Sequence, residues 1–209
     1  MSQASKKIST LLIIALAIAS VLLLKNVLFN DNTPEEPVNT GRFKGDPNAA
    51  IQITEFIDFQ CSECARGSKL IQTFMSNHPK SIFLAVKYYP LGELNSMISA
   101  HYGECAARQG KFWPMHDRLF ELQAQWRTLR KPKPFLNSIA GGIPLDMNEL
   151  ELCLDQGCVH SVVSGERMLG ESYFVKSTPT YFINDQIVVG VEEMSKTLEA
   201  FFKDQNSLF

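Results

Sequence analysis

The sequence predicts an α/β fold in which a block of helices is inserted between two units that contain strands. The first unit begins with residues 51–59, which are rich in the β-branched and aromatic side chains typical of a strand. A helix follows it, and a second strand is predicted over residues 81–88. Residues 95–169 show helical patterns, whereas residues 180–189 form two short strands and indicate a hairpin.

The turn residues and caps support this order of elements. Pro90 and Gly92 end the second strand, and Asn184-Asp185 is the expected turn of the hairpin. Within the helical block, Asp146 is a predicted N-cap, and Gly157 is the expected stop of that helix. An amphipathic helix over residues 192–203 closes the domain. A strand–helix–strand start and a hairpin–helix finish describe a thioredoxin-type fold with an inserted helical subdomain at about residues 95–170.

The N-terminal 29 residues are predicted to be a transmembrane signal anchor. Lys6 and Lys7 precede an uncharged run over residues 8–24, which spans about 25 Å as a helix and reaches about 33 Å if it continues to Phe29. A hydrocarbon core is roughly 30 Å thick. The alternative is a signal peptide cleaved after the small residues 17–19.

Both alternatives deliver the folded domain to the same side of the membrane. The lysines before the apolar run and the acidic residues after it keep the N-terminus inside and the rest outside the cytoplasm. Residues 30–42 form a predicted linker, and the domain occupies residues 43–209. We expect a single-pass protein of the cytoplasmic membrane whose domain lies in the periplasm. If the N-terminal segment is cleaved, the domain is expected to be secreted.

The composition excludes few functions, but it gives no indication that the protein binds nucleic acid. The 209 residues carry a formal charge of −2 and have an ordinary globular composition, so no nucleic-acid partner is expected. Five cysteines in a chain exported from the cytosol indicate that some of them are oxidised.

The pair Cys61 and Cys64 is the strongest functional motif. It lies where the first strand turns into a helix, so free backbone N–H groups and the positive end of the helix dipole favour a thiolate at Cys61. Cys64, one turn further on, can close a disulfide with it. Haem attachment would need a histidine at Ala65. A zinc site would need a second ligand pair, and Cys153 and Cys158 have the wrong spacing. No metal is therefore expected.

Thr178-Pro179 directly precedes the hairpin. An isolated Thr-Pro bond is nearly always trans, because the cis form accounts for only about 5% of such bonds. A cis bond at this place would bring Thr178 beside the Cys61 turn, where its free backbone groups can pair with an extended peptide.

Glu55 shares one side of the first strand with three isoleucines. Either it reaches water at the strand end, or it is a desolvated acid with a raised pKa. In the second case it would carry the proton of Cys64 when that thiol attacks a mixed disulfide.

The remaining cysteines, histidines and aromatic residues are weaker candidates. Cys105 lies on an apolar helical stripe and is expected to be a buried small hydrophobe. Cys153 and Cys158 flank Gly157, so they either form a second disulfide or are unpaired packing or surface thiols. Trp113 is expected in the core or at the edge of the substrate groove. The four histidines are expected to pack or to lie at the surface, namely His78, His101, His116 and His160.

Six motifs together resemble the DsbA-like thiol:disulfide oxidoreductases of the thioredoxin superfamily, over roughly residues 42–205. They are residues 55–64 (EFIDFQCSEC), 89–91 (YPL), 104–107 (ECAA), 110–113 (GKFW), 153–155 (CLD) and 177–180 (STPT). The resemblance implies that Cys61 attacks, Cys64 resolves, Pro179 is cis and Thr178 contacts substrate. The anchor is most similar to that of the membrane-tethered members.

The resemblance also implies how the chain works. The substrates would be cysteine-containing secreted proteins, and no cofactor is needed beyond the redox-active Cys61–Cys64 disulfide. A quinone-linked membrane protein of the DsbB or vitamin K epoxide reductase type would reoxidise it. Ser62-Glu63 departs from the dipeptide of the strongest oxidants, and the Glu63 charge opposes a thiolate. We therefore expect a moderate oxidant, with a disulfide reductase or isomerase, or a non-enzymatic thiol or metal-binding module, as alternatives.

Overall fold

The computed structural model describes residues 41–92 and 94–206, and it contains a five-stranded mixed sheet flanked by helices. The strands lie in the order β1-β3-β2-β4-β5. Strand β2 is central, parallel to β3 and antiparallel to β4. The strand bounds are β1 Phe43–Gly45, β2 Ile51–Ile57, β3 Ile82–Tyr88, β4 Thr180–Ile183 and β5 Gln186–Val189.

Eight helices are found in the described part of the chain. Two of them belong to the thioredoxin-like unit, α1 (Ser62–Asn77) and α8 (Val191–Asn206). The other six form the predicted helical insertion, and they are α2 Leu94–Arg108, α3 Phe112–Glu121, α4 Gln123–Trp126, α5 Lys133–Gly141, α6 Met147–Leu154 and α7 Gly157–Ser172. The predicted mixed α/β fold with a helical insertion is therefore confirmed.

The two faces of the sheet bury different sets of side chains because successive residues of β2 point in opposite directions. The isoleucines of β2 pack in one core with Ile71 of α1 and Leu198 of α8. Phe56 points to the other face and packs with Tyr89 and Val175. Helix α1 thus packs over the face of the sheet that also carries Glu55.

Several local predictions are confirmed. Asp146 caps α6, since its Oδ1 accepts hydrogen bonds from the N–H groups of Asn148 and Glu149 at 2.8 and 3.1 Å. The hairpin turns at Asn184, whose φ of 50° suits asparagine. Asn184 Oδ1 also accepts the N–H of Gln52 at 2.8 Å, which fixes the turn against β2.

The predicted stop at Gly157 is wrong. Helix α6 ends at Leu154, and Gly157 is the first residue of α7. The chain turns at Asp155 and Gln156 instead, where the Gln156 N–H donates to the Cys153 carbonyl at 3.1 Å. This glycine has no positive φ and meets no neighbouring side chain, so its position reflects a helix start.

The predicted Cys153–Cys158 disulfide is also wrong, because Cys153 is bonded to Cys105. Cys153 points from α6 towards α2, where Cys105 is completely buried. The expectation that Cys105 is a buried thiol therefore holds for its burial and fails for its bonding. Cys158 lies in the first turn of α7 and is exposed and free.

An ion cluster joins the start of the domain to β3 and α7. Arg42 donates two hydrogen bonds to the Glu166 carboxylate, at 2.7 and 2.9 Å. The same carboxylate accepts from the Lys87 ammonium at 2.9 Å and from the Tyr88 N–H at 2.8 Å. Glu166 therefore connects three segments that are distant in sequence.

The predicted anchor at residues 1–29 and most of the linker, residues 30–40, lie outside the described residues. Within residues 41–92 and 94–206, no helix has the length and apolar character needed to cross a bilayer.

Candidate active site

Cys61 occupies the N-cap position of α1. Its backbone is extended, with φ −77° and ψ 122°, and its carbonyl accepts the Ala65 N–H at 3.3 Å. The positive end of the helix dipole therefore lies near its sulfur. Interaction with the Cys64 thiol, with smaller contributions from the Cys64 and Glu63 amides and the Thr178 side chain, lowers the pKa of Cys61 to about 6, while partial burial opposes the shift.

Cys64 has the opposite environment. It is 0% exposed, and burial raises its pKa well above the usual value, with a further contribution from its bond to Cys61. Both cysteines are free thiols in this structure. Of the two thiols, Cys61 is therefore the one that ionises more readily, and Cys64 keeps its proton at neutral pH.

The loop before β4 lies against Cys61. The Thr178–Pro179 peptide bond is cis, and the Cys61 thiol donates to the Thr178 carbonyl at 3.3 Å. The Thr180 hydroxyl donates to the Ser177 carbonyl at 2.7 Å, and the Gly190 N–H donates to the Pro179 carbonyl at 3.0 Å. Thr178 and Cys61 are thus in contact, although 117 positions separate them in the sequence.

Glu55 is buried on β2, at 1% exposure, so the alternative that it reaches water is wrong. Burial raises the pKa of its carboxyl to about 8, and interaction with the Tyr181 hydroxyl partly opposes this shift. The charge of Glu55 contributes to the raised pKa of Cys64. The two groups therefore influence each other across the interior.

Asp58 organises the turn between β2 and Cys61, and sequence reasoning gave it no role. Its Oδ1 accepts the Gln60 N–H at 2.8 Å. Its Oδ2 accepts the Leu91 N–H at 3.0 Å and the Ser96 hydroxyl at 2.7 Å. The sequence does contain a signal for this contact, because an aspartate two residues before a turn, as Asp58 is before Gln60, is typical of an Asx turn.

Gln123 supports the turn from the helical insertion. The side-chain amide of this buried residue donates to the Phe59 carbonyl at 2.7 Å and to the Cys61 carbonyl at 2.8 Å. Nearby, the Gln60 amide donates to the Arg127 carbonyl at 2.7 Å. No local sequence pattern reveals a partner that lies 62 residues along the chain.

With this geometry established, comparison with known proteins decides the family. A family profile described as thioredoxin matches residues 38–200. The chain belongs to the thioredoxin family.

Solved structures share the thioredoxin-family fold. BdbD from Bacillus subtilis, in its oxidised form, has a TM-score of 0.68 at 20% identity and covers 78% of this chain and 94% of its own. The thiol-disulfide exchange protein α-DsbA2 from Wolbachia pipientis has a TM-score of 0.66 at 17% identity, with 92% and 98% covered. A thioredoxin-like oxidoreductase from Silicibacter pomeroyi has a TM-score of 0.65 at 21% identity, with 78% and 91% covered.

Curated relatives of this thioredoxin-family chain are longer proteins. The Na⁺/H⁺ antiporter NhaA 1 of Mycobacterium sp. strain KMS is 26% identical over 154 residues, which is 71% of this chain and 24% of the antiporter. The NhaA antiporter of Herminiimonas arsenicoxydans is 25% identical over 158 residues, or 75% of this chain and 24% of the antiporter. The chain spans about a quarter of their length.

In this thioredoxin-family site the Glu63 charge is paired. Arg66 donates to Glu63 at 2.6 Å and to Glu192 of α8 at 3.1 Å, and all three side chains are exposed. The expected opposition of Glu63 to a Cys61 thiolate is thereby reduced, because the guanidinium lies next to the carboxylate.

The other candidates are occupied elsewhere. The Trp113 indole N–H donates to the Phe43 carbonyl at 3.0 Å, and the Lys44 ammonium lies 3.9 Å from the centroid of the indole ring. Trp113 therefore packs against β1. His116 is buried among aromatic rings, and burial lowers its pKa. Within residues 41–92 and 94–206, no three His, Cys, Asp or Glu side chains are arranged to hold a metal ion.

Proposed function

We propose that this chain is an extracytoplasmic thiol:disulfide oxidoreductase that forms disulfides in secreted or envelope proteins. The observation that carries the proposal is the contact between Cys61 and the Thr178 carbonyl, at 3.3 Å, at the exposed end of α1. It places a thiol of low pKa beside the backbone of the loop that carries the cis peptide bond. Structural neighbours described as thiol-disulfide exchange and DsbA proteins support this class of activity.

In the oxidising direction a substrate thiolate attacks the Cys61 sulfur of the Cys61–Cys64 disulfide. The bond to Cys64 breaks, and a mixed disulfide with Cys61 forms. A second substrate thiolate then attacks the substrate sulfur and releases Cys61 as a thiolate, so the substrate loses two electrons and the cysteine pair gains them. The low pKa of Cys61 assists this last step, since a thiol of lower pKa leaves faster.

Glu55 is proposed to move the proton of Cys64. When Cys64 leaves as a thiolate into the interior, it takes a proton from the Glu55 carboxyl, and in the reverse direction the carboxylate removes it. A pKa of about 8 lets Glu55 hold or accept that proton near neutral pH. Both groups are buried, so bulk water does not reach them, which supports Glu55 as the proton partner.

Thr178 is proposed to bind the substrate main chain. Its carbonyl lies 3.3 Å from the Cys61 sulfur and accepts a hydrogen bond from Cys61 only when that thiol is protonated, so it would be available to accept a substrate N–H in the complex, as in strand addition. Main-chain recognition of this kind suits an enzyme that acts on many extended cysteine-containing segments, since it reads no particular side chain.

Location and partners follow from the predicted anchor. Residues 1–29 would hold the domain at the outer face of the cytoplasmic membrane, or direct its secretion if they are cleaved. There a quinone-linked membrane protein of the DsbB or vitamin K epoxide reductase type would reoxidise the Cys61–Cys64 pair.

A reductase or isomerase is the second candidate, and one observation favours it. Reduced Cys61 is a thiolate at neutral pH and so can attack existing disulfides. Its pKa of about 6 is close to that of reducing members of the fold and well above that of the strongest oxidants. The equilibrium of the Cys61–Cys64 pair with glutathione separates the two directions.

The experiment is to trap clients with Cys64→Ser. Replacing Cys64 removes resolution and leaves Cys61 reactive, so mixed disulfides with exported proteins should accumulate and disappear on reduction. Cys61→Ser should trap nothing, and Cys158→Ser, which changes an exposed thiol elsewhere, is the matched control that leaves wild-type behaviour. If Cys64→Ser traps no client, the chain is not an exchange enzyme.

A further inference from the structure

Tyr181 places a buried hydroxyl beside Glu55. The two residues are register partners on the paired strands β4 and β2, so their side chains share one face of the sheet. Tyr181 is 0% exposed. Among the described residues, the Tyr181 hydroxyl and Oε1 of Glu55 are buried and neither has a hydrogen-bond partner. Two unsatisfied polar groups therefore lie on the same face of the sheet, and their interaction lowers the pKa of Glu55 against the effect of burial.

Helix α1 holds this hydroxyl in place. A Cβ atom on Gly67 would lie 2.2 Å from the Tyr181 oxygen, so only glycine at this position leaves room for it. Gly67 follows Cys64 by three residues and lies on the same side of the helix. The hydroxyl therefore sits between Glu55 and the helical turn that carries Cys64.

The charges around Tyr181 agree with this placement. Burial raises the pKa of its hydroxyl first, and the negative charges of Glu55, Cys64 and Cys61 raise it further. The hydroxyl therefore keeps its proton, and it acts as a neutral donor to whichever carboxylate or thiolate forms beside it.

We infer that Tyr181 is a positioning residue whose hydroxyl holds the Glu55 carboxyl towards Cys64, so that their proton transfer has one defined route. The inference rests on the proposed function. In the resolving step the Cys64 thiol gives its proton to the Glu55 carboxylate, and the Cys64 thiolate attacks the mixed disulfide at Cys61. Cys61–Cys64 forms, and the substrate leaves as a thiolate. Tyr181 donates a hydrogen bond to the Glu55 carboxylate while that group is ionised and is not consumed.

The test follows two phases with a chromogenic aryl disulfide as the probe. Attack by reduced Cys61 releases one aryl thiolate, and attack by Cys64 on the resulting mixed disulfide releases the second. Tyr181→Phe should leave the first phase unchanged. It should slow the second by about two- to tenfold, which corresponds to the loss of one ordinary hydrogen bond, and move its pH midpoint upwards.

Matched variants separate positioning from packing. Tyr88 also has a buried hydroxyl without a hydrogen-bond partner among the described residues, but it lies on β3, so Tyr88→Phe should leave both phases unchanged. Tyr181→Phe added to Glu55→Gln should change neither the rate nor the pH profile further, since the titrating group is gone. Gly67→Ala, which displaces the hydroxyl, should act in the same direction as Tyr181→Phe.

The outcomes are distinguishable. If wild-type protein shows no first phase at Cys61, the proposed function fails. If the first phase is normal but the second phase of Tyr181→Phe keeps the wild-type rate and midpoint, the role of Tyr181 is overturned and the proposed function stands. An effect of equal size in Tyr88→Phe would also overturn it, because the loss would then reflect packing.

Discussion

At the scale of single residues, the two cysteines differ because one helical turn spans the boundary between surface and core. Interaction with the Cys64 thiol and with the amides of the first turn lowers the pKa of Cys61, whereas burial raises the pKa of the enclosed Cys64. The sequence placed Cys61 at the start of the helix, where a thiolate is favoured, and the family resemblance implied that Cys61 is the exposed thiol. It did not predict Tyr181, since a tyrosine on a strand is ordinary and its partner lies 126 residues away.

Glu55 makes the stability of the fold depend on pH. Its pKa rises from 4.5 in the unfolded chain to about 8 in the folded protein. Below pH 4.5 both states are protonated. Between pH 4.5 and 8 only the unfolded chain releases the proton, so the free energy of unfolding falls as pH rises, by on the order of a few kcal/mol.

Glu55→Gln should remove this dependence. The variant gains stability relative to wild type as pH rises from 4.5 to 8, and the difference is constant above that range. Urea unfolding of the reduced proteins at a series of pH values measures it, and the shared thiols cancel in the difference. If the free energies of unfolding of wild type and Glu55→Gln change in parallel between pH 4.5 and 8, Glu55 is ionised in the folded state and the prediction is wrong.

At the scale of elements, the helical insertion fixes the position of the active-site turn. Gln123 of α4 holds the backbone at Phe59 and Cys61, and Ser96 of α2 holds Asp58. The helical spacing of apolar residues over 95–169 predicted that helices are inserted here. It could not predict which of their side chains reach the turn, because those contacts depend on the packing of three helices.

Gln123→Ala should therefore destabilise the protein and loosen Cys61. The buried Phe59 carbonyl and the partly buried Cys61 carbonyl lose their donor, and the buried one costs about 1–3 kcal/mol. Denaturant unfolding measures the loss. Gln125→Ala, two residues along the same helix and exposed, is the control and should stay within about 0.5 kcal/mol of wild type. Equal losses in both variants would assign the effect to the helix and not to the two bonds.

The element boundaries show where sequence patterns fail. β1 has only three residues and pairs at the sheet edge with β3, so its sequence carries no clear alternation. Gly157 resembles a helix stop but begins α7, because the turn at Asp155 and Gln156 already ends α6. Short edge strands and closely spaced helices are decided by tertiary contacts.

At the scale of the whole molecule, one covalent bond and one ion cluster connect distant segments of the domain. The Cys105–Cys153 disulfide closes a loop with a sequence separation of 48 residues, and Glu166 ties Arg42 to β3. The sequence offered three cysteines beyond the active pair. It could not select the bonded two, since spacing favoured Cys153 with Cys158, whereas the packing of α6 on α2 brings Cys105 into place.

Replacing Cys105 and Cys153 together by alanine should lower the free energy of unfolding by about 4 kcal/mol, the chain-entropy value for a loop of this length. Unfolding in urea without reductant measures it. Cys158→Ser should change the free energy of unfolding little, because this thiol is exposed and is not part of a disulfide. If Cys158→Ser were as destabilising as the double variant, Cys158 would be part of the bond in solution.

The measurement that tests the account most directly is the titration of the reduced Cys61 thiol. Thiolate absorbance in the ultraviolet is followed against pH, with Cys61→Ser as the subtraction. The account predicts a midpoint at about pH 6, well before Cys64 titrates. A midpoint above about 8, the range of an ordinary cysteine, would contradict it, because the helix terminus and Cys64 would then not stabilise the nucleophile.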